Sequence, residues 1–150
     1  MKLCGLVMIK GAIINVLNVI KTPGGNVMHA MKESSSGYLG FGEAYFSKID
    51  KGAIKAWKRH TKMTLNLVVP VGEIKFVMFD DRDMSNTQFQ EIIISEDNYC
   101  RLTVPPMVWL GFQGLSDGGA ILLNIANIEH NSKESESLTI EKINYEWSTY

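Results

Sequence analysis

The sequence predicts an all-β fold, either a sandwich or a barrel, and three observations support this prediction. Short apolar runs rich in β-branched and aromatic residues recur along the whole chain. Turn-forming residues separate these runs at short intervals, as in β-sandwiches and barrels. No segment has the long 3.6-residue periodicity of an amphipathic helix. Within residues 65–69 the odd positions form one apolar face, as expected of a half-buried strand.

Ten runs are predicted to be strands. In chain order they are residues 12–20, 26–31, 43–49, 53–58, 64–71, 74–79, 89–94, 100–104, 108–115 and 120–125. The breaks between them are rich in Gly, Pro, Asp and Ser, which favour turns. The polar segment 133–142 is predicted to form a short helix or an extended part of a C-terminal arm, residues 131–150.

Composition and charge bound the class of protein. The chain has 150 residues, of which 45% are hydrophobic and 21% charged, so we expect one folded domain and not a disordered chain. The formal net charge of -1 gives no broad field for nucleic acid or anionic lipid, and we expect neither as a partner. Lys10 and Gly11 interrupt the apolar N-terminus, which therefore fits neither a bilayer span nor a signal peptide. Residues 1–7 are interpreted as an N-terminal extension upstream of Met8.

Two features bear on location and assembly. Cys4 and Cys100 do not make a disulfide framework, so we expect both to be reduced, in a cytoplasmic protein. The apolar run at residues 12–20 would be an adhesive edge if it were left unpaired. We expect a homodimer that buries or exchanges this strand; the alternative is that it pairs within its own sheet.

Three stretches then resemble one family in the correct order. Residues 72–82 end in Asp80-Asp81-Arg82, similar to the family's Asp-x-Arg signature. Residues 94–98 and 102–105 are similar to its Leu-Ser-x-Glu-Asn and Leu-x-Ile-Pro block, and residues 106–112 follow at the correct spacing. From residue 41 to about residue 130 the chain thus resembles the dTDP-4-dehydrorhamnose 3,5-epimerase family. The resemblance implies a double-stranded β-helix (cupin, jelly-roll) barrel, a dimer, and an internal pocket for a nucleotide-linked keto-sugar.

The reaction that the resemblance implies moves protons on carbons beside a ketone, which requires a base, an acid and a stabiliser of the enolate oxygen. The family supplies a His in an Arg-Gly-Leu-His strand, a supporting Asp, a Lys and a Tyr. Here Lys58 falls on the family's histidine, Leu65 on its lysine and Leu123 on its tyrosine. No aspartate match is found in residues 140–147.

His60, Lys58 and Asn66 are the catalytic candidates. His60 and Lys58 lie two residues apart, so a strand would carry both on one face, which we expect to point into the barrel. An imidazole can take or give a proton near neutral pH, and a neighbouring ammonium can stabilise negative charge. Asn66 stands beside the position of the family's lysine. Two alternatives stay open: a strand register shifted by two would put His60 itself on the family's histidine, or this basic strand faces solvent.

The candidates for binding the nucleotide diphosphate are cations and aromatic rings, because arginine and lysine bind phosphate and rings stack on bases. They are Lys55, Arg59, Lys62, Arg82, His29, Tyr99 and Trp109. No cofactor and no metal is expected. Lys58 and Leu110 replace histidines that metal-dependent cupins use, and a single His60 cannot form a facial triad.

The predicted function is that of an epimerase acting on a nucleotide-linked 4-keto-6-deoxy sugar. It would serve cell-surface polysaccharide biosynthesis by supplying a rhamnose-type deoxysugar, and lipopolysaccharide is one such polysaccharide. Two alternatives remain open. The chain could be a non-catalytic cupin that binds a nucleotide sugar. It could also be a 3,4-isomerase that moves the ketone of the sugar between C4 and C3.

Overall fold

The computed structural model describes residues 8–149, which form two five-stranded antiparallel sheets and a separate hairpin. The strands are β1 (Ile13–Val16), β2 (Val19–Thr22), β3 (Gly25–Met28), β4 (Glu43–Ile49), β5 (Ile54–His60), β6 (Leu65–Val71), β7 (Glu73–Asp80), β8 (Gln88–Ser95), β9 (Cys100–Val104), β10 (Trp109–Gly114), β11 (Ala120–Ala126) and β12 (Ser135–Ser137). Single 3₁₀ turns span Ser132–Glu134 and Ile140–Lys142. No helix within residues 8–149 is long and apolar enough to cross a bilayer.

The first sheet has the order β1-β9-β6-β11-β4 and the second the order β12-β5-β10-β7-β8. From β4 to β7 successive strands alternate between the two sheets, and β9, β10 and β11 alternate again. The two sheets therefore wrap around one shared interior. This is the jelly-roll barrel that the sequence predicts, and the all-β prediction is confirmed.

The main core lies between the two sheets and is built from the inward-facing residues of each strand. Phe76, Met78, Ile94 and Leu102 are fully buried in it. Burial of each such side chain contributes roughly 1.5–3 kcal/mol relative to exposure. These large side chains fill the part of the barrel bounded by β7, β8 and β9.

The predicted strand at residues 12–20 is broken in the structure, which corrects the sequence interpretation. The break follows from two backbone hydrogen bonds: Leu17 N–H donates to Tyr99 O (3.1 Å), and His29 N–H donates to Asn18 O (3.0 Å). β1 pairs with β9 within its own sheet, while β2 leaves the sheet and pairs with β3 as a hairpin. The proposed extension at residues 1–7 lies outside the described residues.

The C-terminal arm is folded against the second sheet. β12 pairs with the edge strand β5, and the residues after it cover the outer face of that sheet. There Trp57 packs against the rings of Tyr145 and Trp147, with centroids 6.2 and 5.4 Å away. Gly111 makes room for the arm, because a Cβ at this position would lie 2.9 Å from the Trp147 ring. Residues 133–142, predicted as a short helix or an extended segment, contain both: two 3₁₀ turns and the short strand β12.

Candidate active site

A cavity of about 490 Å³ opens between the two sheets, at the end of the barrel bounded by β4, β5 and β11. Small-molecule sites typically occupy ~300–1,000 Å³, so a sugar ring fits within it. Its apolar lining comes from inward-facing side chains of β6, β10 and β11: Leu65, Leu67, Leu110, Phe112 and Leu122. Polar side chains from β4, β5, β11 and β12 complete the wall: Tyr45, Ser47, Lys55, Lys58, His60, Asn124 and Ser137.

His60 ends β5 and is the most buried ionisable group of this wall, with 9% of its surface exposed. Its Nδ1 is hydrogen-bonded to Oε1 of Glu134. An ionised carboxylate can only accept, so Nδ1 carries the proton in this bond. In the neutral ring the lone pair is then on Nε2, and this nitrogen is the one left for a ligand in the cavity.

Glu134 is itself buried and held from both sides. Its Oε2 accepts the backbone N–H groups of Lys62 and Met63, each at 3.2 Å. Desolvation on burial raises its pKa, but the bond from His60 and these two N–H groups outweigh it, and the net pKa lies below the ordinary value. Glu134 is therefore a carboxylate at neutral pH, and its negative charge lies against the His60 imidazole.

Local chain geometry brings this carboxylate to the histidine. The Asn131 side chain accepts the N–H of Lys133 (3.0 Å) and begins the 3₁₀ turn that carries Glu134. Glu134 O then accepts the N–H of Thr61 (2.7 Å), and β12 starts with Ser135 paired to His60. The start of β12 thus fixes Glu134 beside the end of β5.

Lys55 and Lys58 lie at the mouth of the same cavity, and both are exposed. Side chains three apart on a regular strand point to opposite faces. Here Leu110 pairs with Lys58, and Phe112 pairs with Lys55. Between these two pairs the chain advances three residues on β5 but only two on β10. This bulge in β5 lets both ammonium groups reach the cavity.

A polar pair lines the opposite sheet of the cavity. Asn124 of β11 is directly paired with Tyr45 of β4, and its Nδ2 donates to the Tyr45 Oη at 2.8 Å. The Asn124 Oδ1 is buried and has no hydrogen-bond partner within residues 8–149. A buried amide oxygen normally has a donor, so this atom is open to a ligand hydroxyl.

Asn66 and Arg59 lie on outer faces of the sheets, away from the cavity. Asn66 points out of the first sheet, where its Oδ1 accepts from Arg101 and Thr103. Its neighbours Leu65 and Leu67 line the cavity, and strand alternation turns Asn66 the other way. Arg59, between Lys58 and His60, is turned outward for the same reason and pairs with Asp81 and Glu136.

The other candidates are also held elsewhere. Trp109 is on the outer face of the second sheet. The Arg59 guanidinium carbon lies 4.5 Å from the centroid of its indole ring. Arg82 is bound to Asp80 and to Lys10 O. Lys62 contacts the site through its backbone N–H, which donates to Glu134 Oε2, and the residue is exposed. His29 and Tyr99 meet near the hairpin, where Tyr99 Oη donates to His29 O at 2.8 Å.

Three contributors were missed by the sequence reasoning: Glu134, Tyr45 and Asn124 as a cavity residue. The supporting carboxylate was expected within residues 140–147, whereas Glu134 lies earlier, just before β12. One signal was available, because Asn131 followed three residues later by Glu134 has the pattern of a capped turn. Tyr45 has the inward alternation of Ser47 and Ile49, which the strand pattern also predicts. Within residues 8–149 no three His, Cys, Asp or Glu side chains are grouped as metal ligands would be.

Comparison with solved structures identifies the family. The barrel superposes on a dTDP sugar isomerase from Desulfovibrio desulfuricans G20 with a TM-score of 0.87. The two are 36% identical, over 92% of this chain and 91% of that one. The chain belongs to the dTDP-4-dehydrorhamnose 3,5-epimerase family. RmlC from Legionella pneumophila, a dTDP-6-deoxy-D-glucose-3,5-epimerase of that family, is 20% identical and shares the fold with a TM-score of 0.78 over 89% of this chain and 76% of its own.

Two curated proteins add to this membership. "Probable low-salt glycan biosynthesis epimerase Agl13" of Haloferax volcanii is 32% identical over 84 residues, and the match spans 54% of this chain and about half (54%) of Agl13. The spore coat polysaccharide biosynthesis protein SpsL of Bacillus subtilis is 28% identical over 115 residues, 73% of this chain and 76% of SpsL. No protein-family model matches the chain. The nucleotide-sugar epimerase resemblance inferred from the motifs is confirmed.

Proposed function

We propose that the chain is an epimerase that acts on a nucleotide-linked 4-keto-6-deoxy sugar and serves cell-surface polysaccharide biosynthesis. The observation that carries the proposal is the pairing of His60 with the carboxylate of Glu134 on the wall of a cavity that accepts a sugar. Membership of the epimerase family supports the same reaction class. Lipopolysaccharide is one such product.

His60 is the base in this proposal. Its Nε2 removes the proton from a carbon beside the ketone, and the negative charge of Glu134 stabilises the resulting imidazolium. A base positioned in this way contributes about 10²–10⁴-fold to the rate. The register alternative that puts His60 on the family's histidine is the one that the contact with Glu134 supports.

Lys58 and Lys55 supply positive charge in this proposal. The ammonium of Lys58 lies on the same strand as His60 and can stabilise the enolate oxygen. Lys55 precedes Lys58 on β5, on the other side of the bulge, and its ammonium is suited to the diphosphate of the nucleotide. The nucleotide then enters past both lysines, with the sugar directed toward the leucine-lined interior.

We also propose that the protein is a homodimer located in the cytoplasm. Apolar side chains of β1 and the hairpin are exposed, with Val16 at 78% and Ile20 and Val27 near half. Phe46, on the outer side of the first sheet, is 69% exposed. Exposed apolar groups on neighbouring elements favour association. The molar mass is measured by light scattering as the protein elutes from a size-exclusion column. A mass of two chains would support the dimer, and a mass of one chain would contradict it.

The epimerase is tested by solvent exchange. The protein is incubated in heavy water with a dTDP-4-keto-6-deoxy-hexose, and the sugar is followed by NMR. We expect deuterium at C3 or C5 together with the inverted sugar. His60→Asn should lower this exchange at least about 100-fold, because it removes the basic nitrogen. His130→Asn is the matched control, since His130 is exposed and lies outside the cavity wall.

Three results would contradict the proposal. A ketone that migrates from C4 to C3 identifies a 3,4-isomerase instead. Saturable binding without deuterium uptake identifies a nucleotide-sugar-binding cupin. Full exchange by His60→Asn shows that another group is the base.

A further inference from the structure

The cavity wall opposite His60 carries a phenol that the sequence comparison did not predict. Tyr45 is on β4, at the edge of the first sheet, while His60 is on β5 of the second. Both line the cavity that separates the sheets. We infer that Tyr45 is the catalytic acid of this protein, held by Asn124 and acting on the sugar from the side opposite His60. The inference rests on the proposed epimerase function.

The hydrogen bond between Asn124 and Tyr45 sets the direction of the phenol proton. The amide Nδ2 donates to Oη, so the phenol oxygen is the acceptor in this contact. Its own O–H then points elsewhere, and the cavity is the space beside it. The same amide N–H stabilises the phenolate that remains once the proton has left.

The sequence position of the pair follows from strand pairing. Leu123 falls on the family's tyrosine, and the inward-facing residue beside it is Asn124. Asn124 pairs across the sheet with Tyr45, so the side chains of directly opposed residues lie on the same face. A phenol thus reaches the site from β4, the strand next to β11.

The proton balance of the step is complete. Nε2 of His60 takes the proton of the carbon beside the ketone, and the C–H electrons form the enolate. The enolate carbon then takes the O–H proton of Tyr45 on its other face, which inverts that carbon. The products are an imidazolium and a phenolate, and solvent returns the proton from one to the other.

Asn124 has a second contact to offer in this arrangement. In the part of the chain that the structure describes, its buried Oδ1 has no donor, and a hydroxyl of the sugar would satisfy it. The amide then binds substrate through oxygen and holds the acid through nitrogen. Asn124 is a positioning residue for Tyr45 and a contact for the sugar.

The test separates exchange from inversion. Tyr45→Phe keeps His60, so we expect it to incorporate deuterium from heavy water while it forms at least about 100-fold less inverted sugar. Deuterium returned by the imidazolium arrives on the original face and leaves the configuration unchanged. Tyr145→Phe is the matched control, because Tyr145 lies on the outer face, bonded to Glu91. A second variant, Asn124→Leu, should also lose inversion more than exchange.

Three outcomes decide the inference. Inversion by Tyr45→Phe at the wild-type rate would overturn it. Loss of exchange together with inversion, with an unchanged melting temperature, would also overturn it, because Tyr45 would then be needed for proton removal. Wild-type protein that neither exchanges nor inverts the sugar would refute the proposed function itself, and this result is distinguishable because it does not depend on Tyr45.

Discussion

Glu134 follows His60 by 74 residues, and its carboxylate forms a buried hydrogen bond with the Nδ1 of that imidazole. Two further contacts come from the backbone, where the consecutive N–H groups of Lys62 and Met63 donate to the other carboxylate oxygen. The pair is thus shared between the end of β5 and the turn before β12. A change in either element will therefore alter the position of the His60 imidazole.

Glu134→Gln is expected to lower kcat at least about 100-fold with a smaller change in KM. The amide keeps the shape of the side chain but removes the negative charge that favours the imidazolium. The measurement is the rate of deuterium uptake at saturating sugar nucleotide. Glu136→Gln, two residues along and on the outer face with Arg59, is the control. Equal rates for the two variants would exclude a role for the carboxylate.

Acid should remove the stability that Glu134 contributes. Its pKa in the folded protein is lower than the ordinary 4.5, so the folded state binds fewer protons than the unfolded state between the two values. The contribution is complete above about pH 4.5 and is lost as pH falls through the lowered pKa. The difference in unfolding free energy between wild type and Glu134→Gln, measured in urea, should therefore narrow in acid. A gap that stays constant down to about pH 3 would contradict this.

The sequence predicted most of the fold because strand alternation and turn residues are local signals. The strands around residues 43–49, 65–71 and 120–126 are found within a residue or two of prediction. The break at Leu17 was not predictable, since it depends on a hydrogen bond to Tyr99, which lies far along the chain. The hairpin that follows has no buried face to mark it.

The site was predicted in part, for similar reasons. The two-residue spacing of Lys58 and His60 indicated a shared face, and both line the cavity. Asn66 is predicted as a catalytic residue because it stands beside the position of the family's lysine. Strand alternation with Leu65 turns the Asn66 side chain outward. The dependence of His60 on Glu134 arises from the pairing of β12 with β5, which no local pattern encodes.

Lys55→Met should raise KM about tenfold with kcat little changed. One ion contact to a diphosphate is worth about 1.4 kcal/mol, which corresponds to a factor of ten. Lys48→Met, on the outward-facing side of β4, is the matched control. Steady-state kinetics with the sugar nucleotide at low and high salt would measure the effect. A Lys55→Met enzyme with wild-type KM would remove this lysine from the binding site.

Trp57→Ala is expected to destabilise the protein by roughly 3–5 kcal/mol. The indole is 1% exposed, packs against Val77, Trp109 and Ile143, and donates from Nε1 to Ile140 O at 3.2 Å. Its loss leaves a cavity beneath the C-terminal arm. Urea unfolding followed by circular dichroism gives the value. Trp57→Phe should recover part of the loss, and equal stability of the two variants would argue against packing as the cause.

Cys100 should resist thiol reagents in the folded protein. Burial raises the pKa of its thiol to about 11, so little thiolate is present near neutral pH. In a Cys4→Ser background, we expect labelling to be slow in native buffer and fast in denaturant. Rapid labelling of the folded protein, with its circular dichroism unchanged, would show that the thiol is accessible.

The separation of 74 residues between His60 and Glu134 has a consequence for synthesis. The strand that carries His60 leaves the ribosome long before the turn that holds its carboxylate. A growing chain that ends before residue 132 already contains the imidazole and the leucines of the interior, but not the group that orients the imidazole. In the proposed mechanism, efficient proton abstraction therefore requires that residues 132–134 have been synthesised, and chains that stop before them are expected to be poor catalysts.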